Sequence, residues 1–568
     1  MWSHIFIAVC LVSNIIAAQS LKHHESFSKL IHDAYYEDAL SVAQMQLKRS
    51  RKSNGERHAS TLQWMNSLAQ AKMLLAHHKE AQDLVELVIL QTSGEKRDHN
   101  YAKIRLEAYS IKAQVYLKQG NYSACSEAIN SAEQLSKKHK IFNQSEVAKI
   151  YFVRGLLESE SGRFSAAGKS FQKSLTIFQG LQLPLWQARV LQHSGESLIS
   201  SGKIKQGRDF IDQSIMLRSE MQLTRHPDWA DALDNMAALL ILAGNLGAPL
   251  SLVDKAQTIR YDIFKKEHPE RIKSIRMRAL LMEALGDLRS ALRERTTIYD
   301  KLSGELGTTN AKLFSTVVSL ARVHTRLNNP NKAQFYFDLA NKIYIKNFSN
   351  SKVHEYRLML TEALLVSASA KYFQADKLYQ KILKDPTYAG RAEVLLRAAE
   401  VKILQGNNEE AELMLSERLK LLEQDLGIAH PTVGQALKKL AALHYEKGKP
   451  ELSVKLIKKS LDQIIVKVGE DHPEVLNRLA EIIFYQQIAK KLPEAAKSFE
   501  MALRIQKRNF GETHSEVLVT MNNLAGVYGL LGRKQEAEKL LREIRLIEAG
   551  GNPTDNDILF GNSPELKN

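Results

Sequence analysis

Apolar and polar residues recur along this chain with helical spacing, and the pattern breaks at nearly even intervals. After His430, the residues Val433, Leu437, Leu440 and Ala441 follow steps of three and four, which predicts an amphipathic helix. Gly448 interrupts the run. A second helix is then predicted through Leu452, Ser453, Leu456, Ile457, Ser460, Leu461 and Ile464. The unit is therefore a helical hairpin. Glycines break the pattern in the same way at Gly120, Gly162, Gly202, Gly244, Gly286, Gly406 and Gly532, each five residues before the start of a recurring landmark. Glycine takes the left-handed conformation without a side-chain penalty, so these positions are read as exits from one helix into the next.

That landmark is a small residue in the opening turns of the second helix. It falls at Ala39, Ala81, Cys125, Ala167, Gly207, Ala291, Ala333, Ala375, Ala411, Ser453, Ala495 and Ala537, with Pro249 in the remaining place. Of the twelve steps in this series nine are 42 residues, and the others are 44, 40 and 36. A larger side chain there would push the two helices of a hairpin apart. Seven residues on, a second mostly small set appears: Ala132, Ser174, Ser214, Ala256, Ala340, Ser460 and Ala502. His-Pro marks the start of several units, at His226-Pro227, His268-Pro269, His430-Pro431 and His472-Pro473, with His514-Ser515 and Asn310-Ala311 as degenerate copies. Proline suits a first helical position and pushes the preceding residue out of helical geometry, so these histidines are expected to be helix boundaries rather than ligands.

The spacing resembles the tetratricopeptide repeat family in its 42-residue, kinesin-light-chain-like form. The last copy carries the resemblance best, through His514, Val517, Asn522-Asn523-Leu524-Ala525, Val527-Tyr528, Gly532 and Ala537-Glu538. It extends over residues 21–548, with its strongest parts at 226–345 and 411–546. The fold class implied is all-α: an α-solenoid of about thirteen helical hairpins forming a right-handed superhelix. Sub-blocks are expected at 21–220, 221–385 and 386–548, followed by a disordered tail at 549–568. A kinesin light chain would carry a long heptad region ahead of its repeats, and only some twenty residues precede them here.

Composition changes this picture in three places. The first is the N-terminus: Ile5–Ala18 is mostly apolar and followed by small residues, which reads as a secretory signal over 1–20 cleaved after Ala18 or Ser20. A secreted or periplasmic protein is expected, against a cytosolic motor role. The second is cysteine. Cleavage would remove Cys10 and leave Cys125, which sits at a small packing position and has no partner for an internal disulfide. The third is charge. A formal net charge of +16 attracts acidic partners, yet no aromatic residues interleave with the basic ones and no nucleic-acid module is present.

Candidate chemistry is sparse. His23-His24 and His77-His78 are adjacent pairs that diverge on a helix, and no His-Glu-x-x-His motif occurs. The stretch from Gly195 to Gly202-Lys203 has the wrong spacing for a phosphate loop. Neither a catalytic constellation nor a cofactor or metal site is expected. The resemblance implies instead that the first helix of each hairpin lines a concave groove. There an Asn before the repeat's Leu holds a ligand backbone, a role that falls by position to Asn235 and Asn523. Met277, Ser319, Lys439 and Glu481 stand at that place in other copies. Nearby groove positions are basic: Lys273, Arg276, Arg322, Arg326, Arg397, Lys438 and Lys439. Their forks and ammonium groups suit carboxylates. The expected function is a non-catalytic scaffold or adaptor for proteins or extended peptides. The alternatives are a regulatory binder of acidic peptides and an accessory subunit of an enzyme or secretion complex.

Overall fold

The computed structural model describes residues 24–94 and 99–549. The signal expected at 1–20 and the tail from Gly550 onward lie outside the described residues. Every regular element among those residues is helical, and the helices pair into thirteen hairpins, the first opening with a helix over 24–32. The all-α repeat solenoid expected from the periodicity is what the chain forms. It comprises two compact units that divide between Gly390 and Arg391. Hairpins 1–9 make the first unit and hairpins 10–13 the second.

Local chemistry starts and stops these helices. His58, His226, His268, His430 and His514 each accept a backbone N–H from two residues on through Nδ1, at 3.0–3.2 Å. Asn310 does the same through Oδ1 at 2.9 Å. Such caps satisfy a donor that the first helical turn leaves open. Pro227, Pro249 and Pro431 occupy first helical positions, where no backbone donor is needed.

The turn inside each hairpin is more uniform than its sequence. The eight glycines have φ between +70° and +87°. The five hairpins without glycine place Ala34, Ala76, Asn328, Ala370 or Lys490 there, and these also have positive φ, between +55° and +64°. The reason is the hydrogen bonding. In hairpin 3, Asn121 N donates to Tyr116 O at 2.9 Å and Gly120 N to Leu117 O at 3.1 Å. In hairpin 9, Lys371 N and Ala370 N make the same pair of bonds to Val366 O and Ser367 O. This closure takes up the last carbonyls of the first helix whatever residue bears the strain.

All thirteen positions of the small-residue series are buried, Pro249 and Gly207 included. Packing is tightest in hairpin 5, Pro184–Ser200 with Ile204–Glu220, where a Cβ added at Gly195 would stand 2.6 Å from Gly207 O. The glycines of that stretch serve helix contact. Between hairpins the cores run on: Leu106, Ile129, Ile150 and Val153 join hairpin 3 (His99–Lys118, Tyr122–Lys138) to hairpin 4 (Ser145–Glu160, Phe164–Gly180).

The first unit is more than a stack in which each hairpin meets only its neighbours. Hairpin 7 (Glu270–Leu285, Leu288–Leu306), hairpin 8 (Phe314–Arg326, Pro330–Asn347) and hairpin 9 (Lys352–Ala368, Tyr372–Leu383) reach back to the turns of hairpins 2, 3 and 4. His268 Nε2 donates to Leu74 O at 2.9 Å, Asn310 Nδ2 to Gln119 O at 2.8 Å and Ser351 Oγ to Ser161 O at 2.9 Å. Both sides of this ladder advance by one repeat per rung. Ion pairs accompany it at Glu37–Lys265 (2.6 Å), Lys118–Glu270 (3.7 Å) and Glu160–Lys312 (2.6 Å). Tyr36 stacks on Phe264, and Tyr122 lies against Phe348. The coil of this unit therefore closes on itself after 190–194 residues, and its caps do two jobs at once. His268 accepts at Nδ1 for its own helix and must carry its proton on Nε2 to bond Leu74.

Candidate functional site

The residues expected to bind fall on both units. Asn235, Lys273, Arg276, Arg322 and Arg326 belong to the first, and Arg397, Lys438, Lys439 and Asn523 to the second. All sit on first helices. Their environments divide them sharply.

In the first unit, most inner charges are already matched. Lys273 bonds Asp231 at 3.2 Å and Glu270 at 2.7 Å. Burial works against its charge, but Asp231 and Glu270 outweigh that and hold the ammonium above its ordinary range. Arg189 grips Asp228 with two nitrogens, at 2.7 Å and 3.0 Å, and Arg260 takes Asp231 and Asp234 at 2.6 Å and 2.7 Å. Burial would raise the Asp228 carboxyl, yet it lies well below the usual range because Arg189 and His226 stabilise the anion. Asn235 is buried, with its amide Nδ2 lacking a partner. Arg276 is half-buried and makes no hydrogen bond or ion pair among the described residues; burial lowers its affinity for the proton, with Glu160 opposing. Arg322 is half-buried, and Arg326 is exposed at the end of its helix.

The second unit shows the same matching. Lys438 pairs with Glu481, Lys439 pairs with Glu400, and Arg397 holds Glu400 at 3.0 Å. Its lysines are thus not a free basic strip. What remains open on the first helices is of another kind. Asn522 and Asn523 are exposed, and so are Leu404, Phe484, Ile488 and Leu530. Tyr445, Phe484 and Tyr485 form an aromatic cluster with ring centroids 5.2–5.8 Å apart. The first helices of this unit therefore expose both amide groups able to hold a peptide backbone and apolar side chains.

Elsewhere the chemistry is quiet. Cys125 is buried, and burial pushes its thiol up to about 12, which leaves it protonated and inert at neutral pH. Among the described residues, no group of three or more His, Cys, Asp or Glu could hold a metal ion, and no helix is long and apolar enough to cross a membrane.

Two features escape sequence reasoning based on the basic residues alone. One is the set of counter-charges, which carried a signal: Asp231 precedes Lys273 by 42 residues, and Glu481 follows Lys438 by 43. Opposite charges one repeat apart face each other on adjacent first helices. The other is the inter-turn ladder, whose partners are some 190 residues apart and differ in type at every rung.

Comparison with known proteins agrees with the repeat reading. Residues 471–545 match the family model of the tetratricopeptide repeat. A clustered mitochondria protein homolog of Ajellomyces capsulatus is 26% identical over 148 residues, which is 26% of this chain and 12% of that protein. The corresponding protein of Emericella nidulans is 24% identical over the same length. The matched segment thus spans about an eighth of those relatives. Among solved structures, a Rap protein complexed with competence and sporulation factor is 12% identical, with a TM-score of 0.49 over 65% of this chain and 99% of that one. A putative kinesin light chain of Podosopora anserina with TPR-like repeats is 20% identical, with a TM-score of 0.26 over 42% of this chain and 96% of that one. The family-model match places tetratricopeptide repeats at residues 471–545, and the same register of buried small residue and left-handed turn runs through all thirteen hairpins.

Proposed function

We propose that the chain is a non-catalytic scaffold that holds other proteins or extended peptides, with its principal recognition surface on the first helices of the second unit. The observation that carries this reading is that the first helices of this unit expose both amides, Asn522 and Asn523, and large apolar side chains, Phe484, Ile488 and Leu530. An amide offers a donor and an acceptor to a peptide backbone, and the apolar side chains offer burial worth about 25 cal/mol per Å². Export through the sequence at 1–20 is part of the proposal, and reading the N-terminus of the mature protein tests it: a start at Gln19 or Leu21 supports export, and an intact Met1 sinks it. For the surface, the full chain is compared with Asn523→Ala and Phe484→Ala in crosslinked capture from the native host. Partners lost from both variants support the assignment, and an unchanged set of partners refutes it.

A second reading, recognition of acidic peptides, is favoured by one observation. Residues 1–390 contain 53 Lys and Arg against 37 Asp and Glu, whereas residues 391–568 contain 26 of each. The positive excess belongs to the first part of the chain, so on this reading acid preference is a property of the first unit. Arg276 and Arg326, which have no carboxylate partner there, are its candidate anchors.

A further inference from the structure

The two turns of the first unit line a partly open cavity of about 310 Å³ where hairpins 3, 4 and 5 meet hairpins 7, 8 and 9. That volume is at the lower end of the range of about 300–1,000 Å³ typical of ligand sites. Its charged lining consists of Arg276, Lys312, Arg357, Glu160 and Glu196. The carboxylates are already engaged. Glu160 takes Lys312 Nζ on both oxygens, at 2.6 Å and 2.7 Å, and also accepts from the Tyr122 hydroxyl. Glu196 is held by His193 and Gln192, each at 2.8 Å. His354, also in the wall, is kept neutral by burial.

Three cations therefore stand against two carboxylates, leaving one positive charge over. The two guanidiniums carry it. Arg276 makes no hydrogen bond among the described residues, and its Nε is buried without a partner. Arg357 has no carboxylate partner there either. This sets them apart from Arg189, Arg260 and Arg295, each of which bonds an Asp or Glu within 3.0 Å. The hydroxyls of Ser200 and Ser315 complete a polar lining. Leaving the buried Nε–H of Arg276 without an acceptor is costly, and a fork of N–H donors fits a carboxylate.

We propose that this cavity is a carboxylate-binding site that bridges the two turns of the first unit, with Arg276 as its anchor and Arg357 as its second cation. A single carboxylate balances the surplus charge, whether it belongs to a small organic acid or to the C-terminus of a peptide. The site is separate from the surface assigned on the second unit and stands without it. Because its walls come from both turns, occupancy ties them together, and binding raises the stability of the first unit by mass action.

The test is thermal unfolding of the full chain followed by tryptophan fluorescence, at one pH and constant ionic strength. Trp64, Trp186 and Trp229 all lie in the first unit. Sodium acetate is compared with sodium chloride, and tri-alanine with its C-terminal amide. Expected is a rise in Tm of about 2 °C or more with a free carboxylate, lost in Arg276→Gln, reduced in Arg357→Gln and retained in Lys169→Gln, a change at an exposed second-helix lysine. A rise with acetate identifies a free acid as sufficient, and a rise with tri-alanine but not its amide identifies a peptide terminus. Should Arg276→Gln fail to fold by circular dichroism, the exposed Arg357→Gln variant carries the comparison. No carboxylate-specific rise in the wild type, or an undiminished rise in the folded arginine variants, overturns the proposal.

Discussion

A Cβ added at Gly120 would stand 2.3 Å from Asn310 Oδ1, whereas one added at Gly406 would meet nothing within 4 Å. Both glycines have positive φ, so both substitutions strain the backbone. Gly406→Ala is therefore expected to cost about 1 kcal/mol from conformation alone. Gly120→Ala should cost about twice that or more, because the inter-turn contact must also shift. Urea titration of the two variants measures the difference, and equal losses would contradict the close approach. Ala370→Gly should act in the opposite direction, since Ala370 already bears φ of +58°. Histidine supplies a further test at this scale. Burial, with Arg357 adding to it, takes His354 down to about 3 from 6.5, and burial takes His78 to about 4. Between those values and 6.5 the folded chain binds fewer protons than the unfolded one. Stability is thus fully present above about pH 6.5 and is lost as pH falls toward 4 and below. Tm measured from pH 7.5 to 4.5 should decline, and His354→Gln should flatten that decline while lowering Tm at pH 7.5.

The hairpin is the element that the sequence shows most plainly, because its signals are local. A three-to-four spacing, a capping side chain and a turn residue all act within twenty residues of one another. The left-handed turns at Ala34, Ala76, Asn328, Ala370 and Lys490 were less legible, since no glycine announces them; backbone closure, not residue type, imposes the conformation. Of the candidate site, the first-helix location was legible. The state of its charges was not, because Lys273, Arg397, Lys438 and Lys439 are each engaged by a carboxylate from the same or the adjacent first helix. The ladder between turns left no periodic trace: His268, Asn310 and Ser351 are different residues that bond carbonyls present in any chain. It makes a specific prediction. Asn310→Asp keeps the oxygen that caps Lys312 N but loses the amide that donates to Gln119 O. Hydrogen exchange at residues 119–121 should accelerate in that variant by about five- to tenfold, corresponding to about 1 kcal/mol. Unchanged exchange there would mean that the rung contributes nothing.

At the scale of the molecule, two units carry two kinds of surface. The first closes on itself and holds the chain's whole positive excess; the second is charge-balanced and displays amide and apolar groups on its first helices. Each has its own cores, as the clusters around Leu106 and around Ile482 illustrate. Tryptophan fluorescence reports only the first unit among the described residues, while ellipticity reports both. Urea unfolding should accordingly show an ellipticity change that fluorescence does not follow, and coincident curves would indicate a single cooperative system. Recognition by the second unit should depend weakly on salt, since Lys438 and Lys439 on its first helices are paired within the fold and the groups assigned to recognition, Asn522, Asn523, Phe484, Ile488 and Leu530, are uncharged. The central claim, that this solenoid works by holding protein partners on its first helices, is tested most directly by crosslinking mass spectrometry on the full chain in its native host. The account predicts reproducible protein partners whose crosslinks and protected residues concentrate on the first helices of hairpins 10–13, around Asn523 and Phe484. Crosslinks confined to the second helices, or no reproducible partner at all, would contradict it.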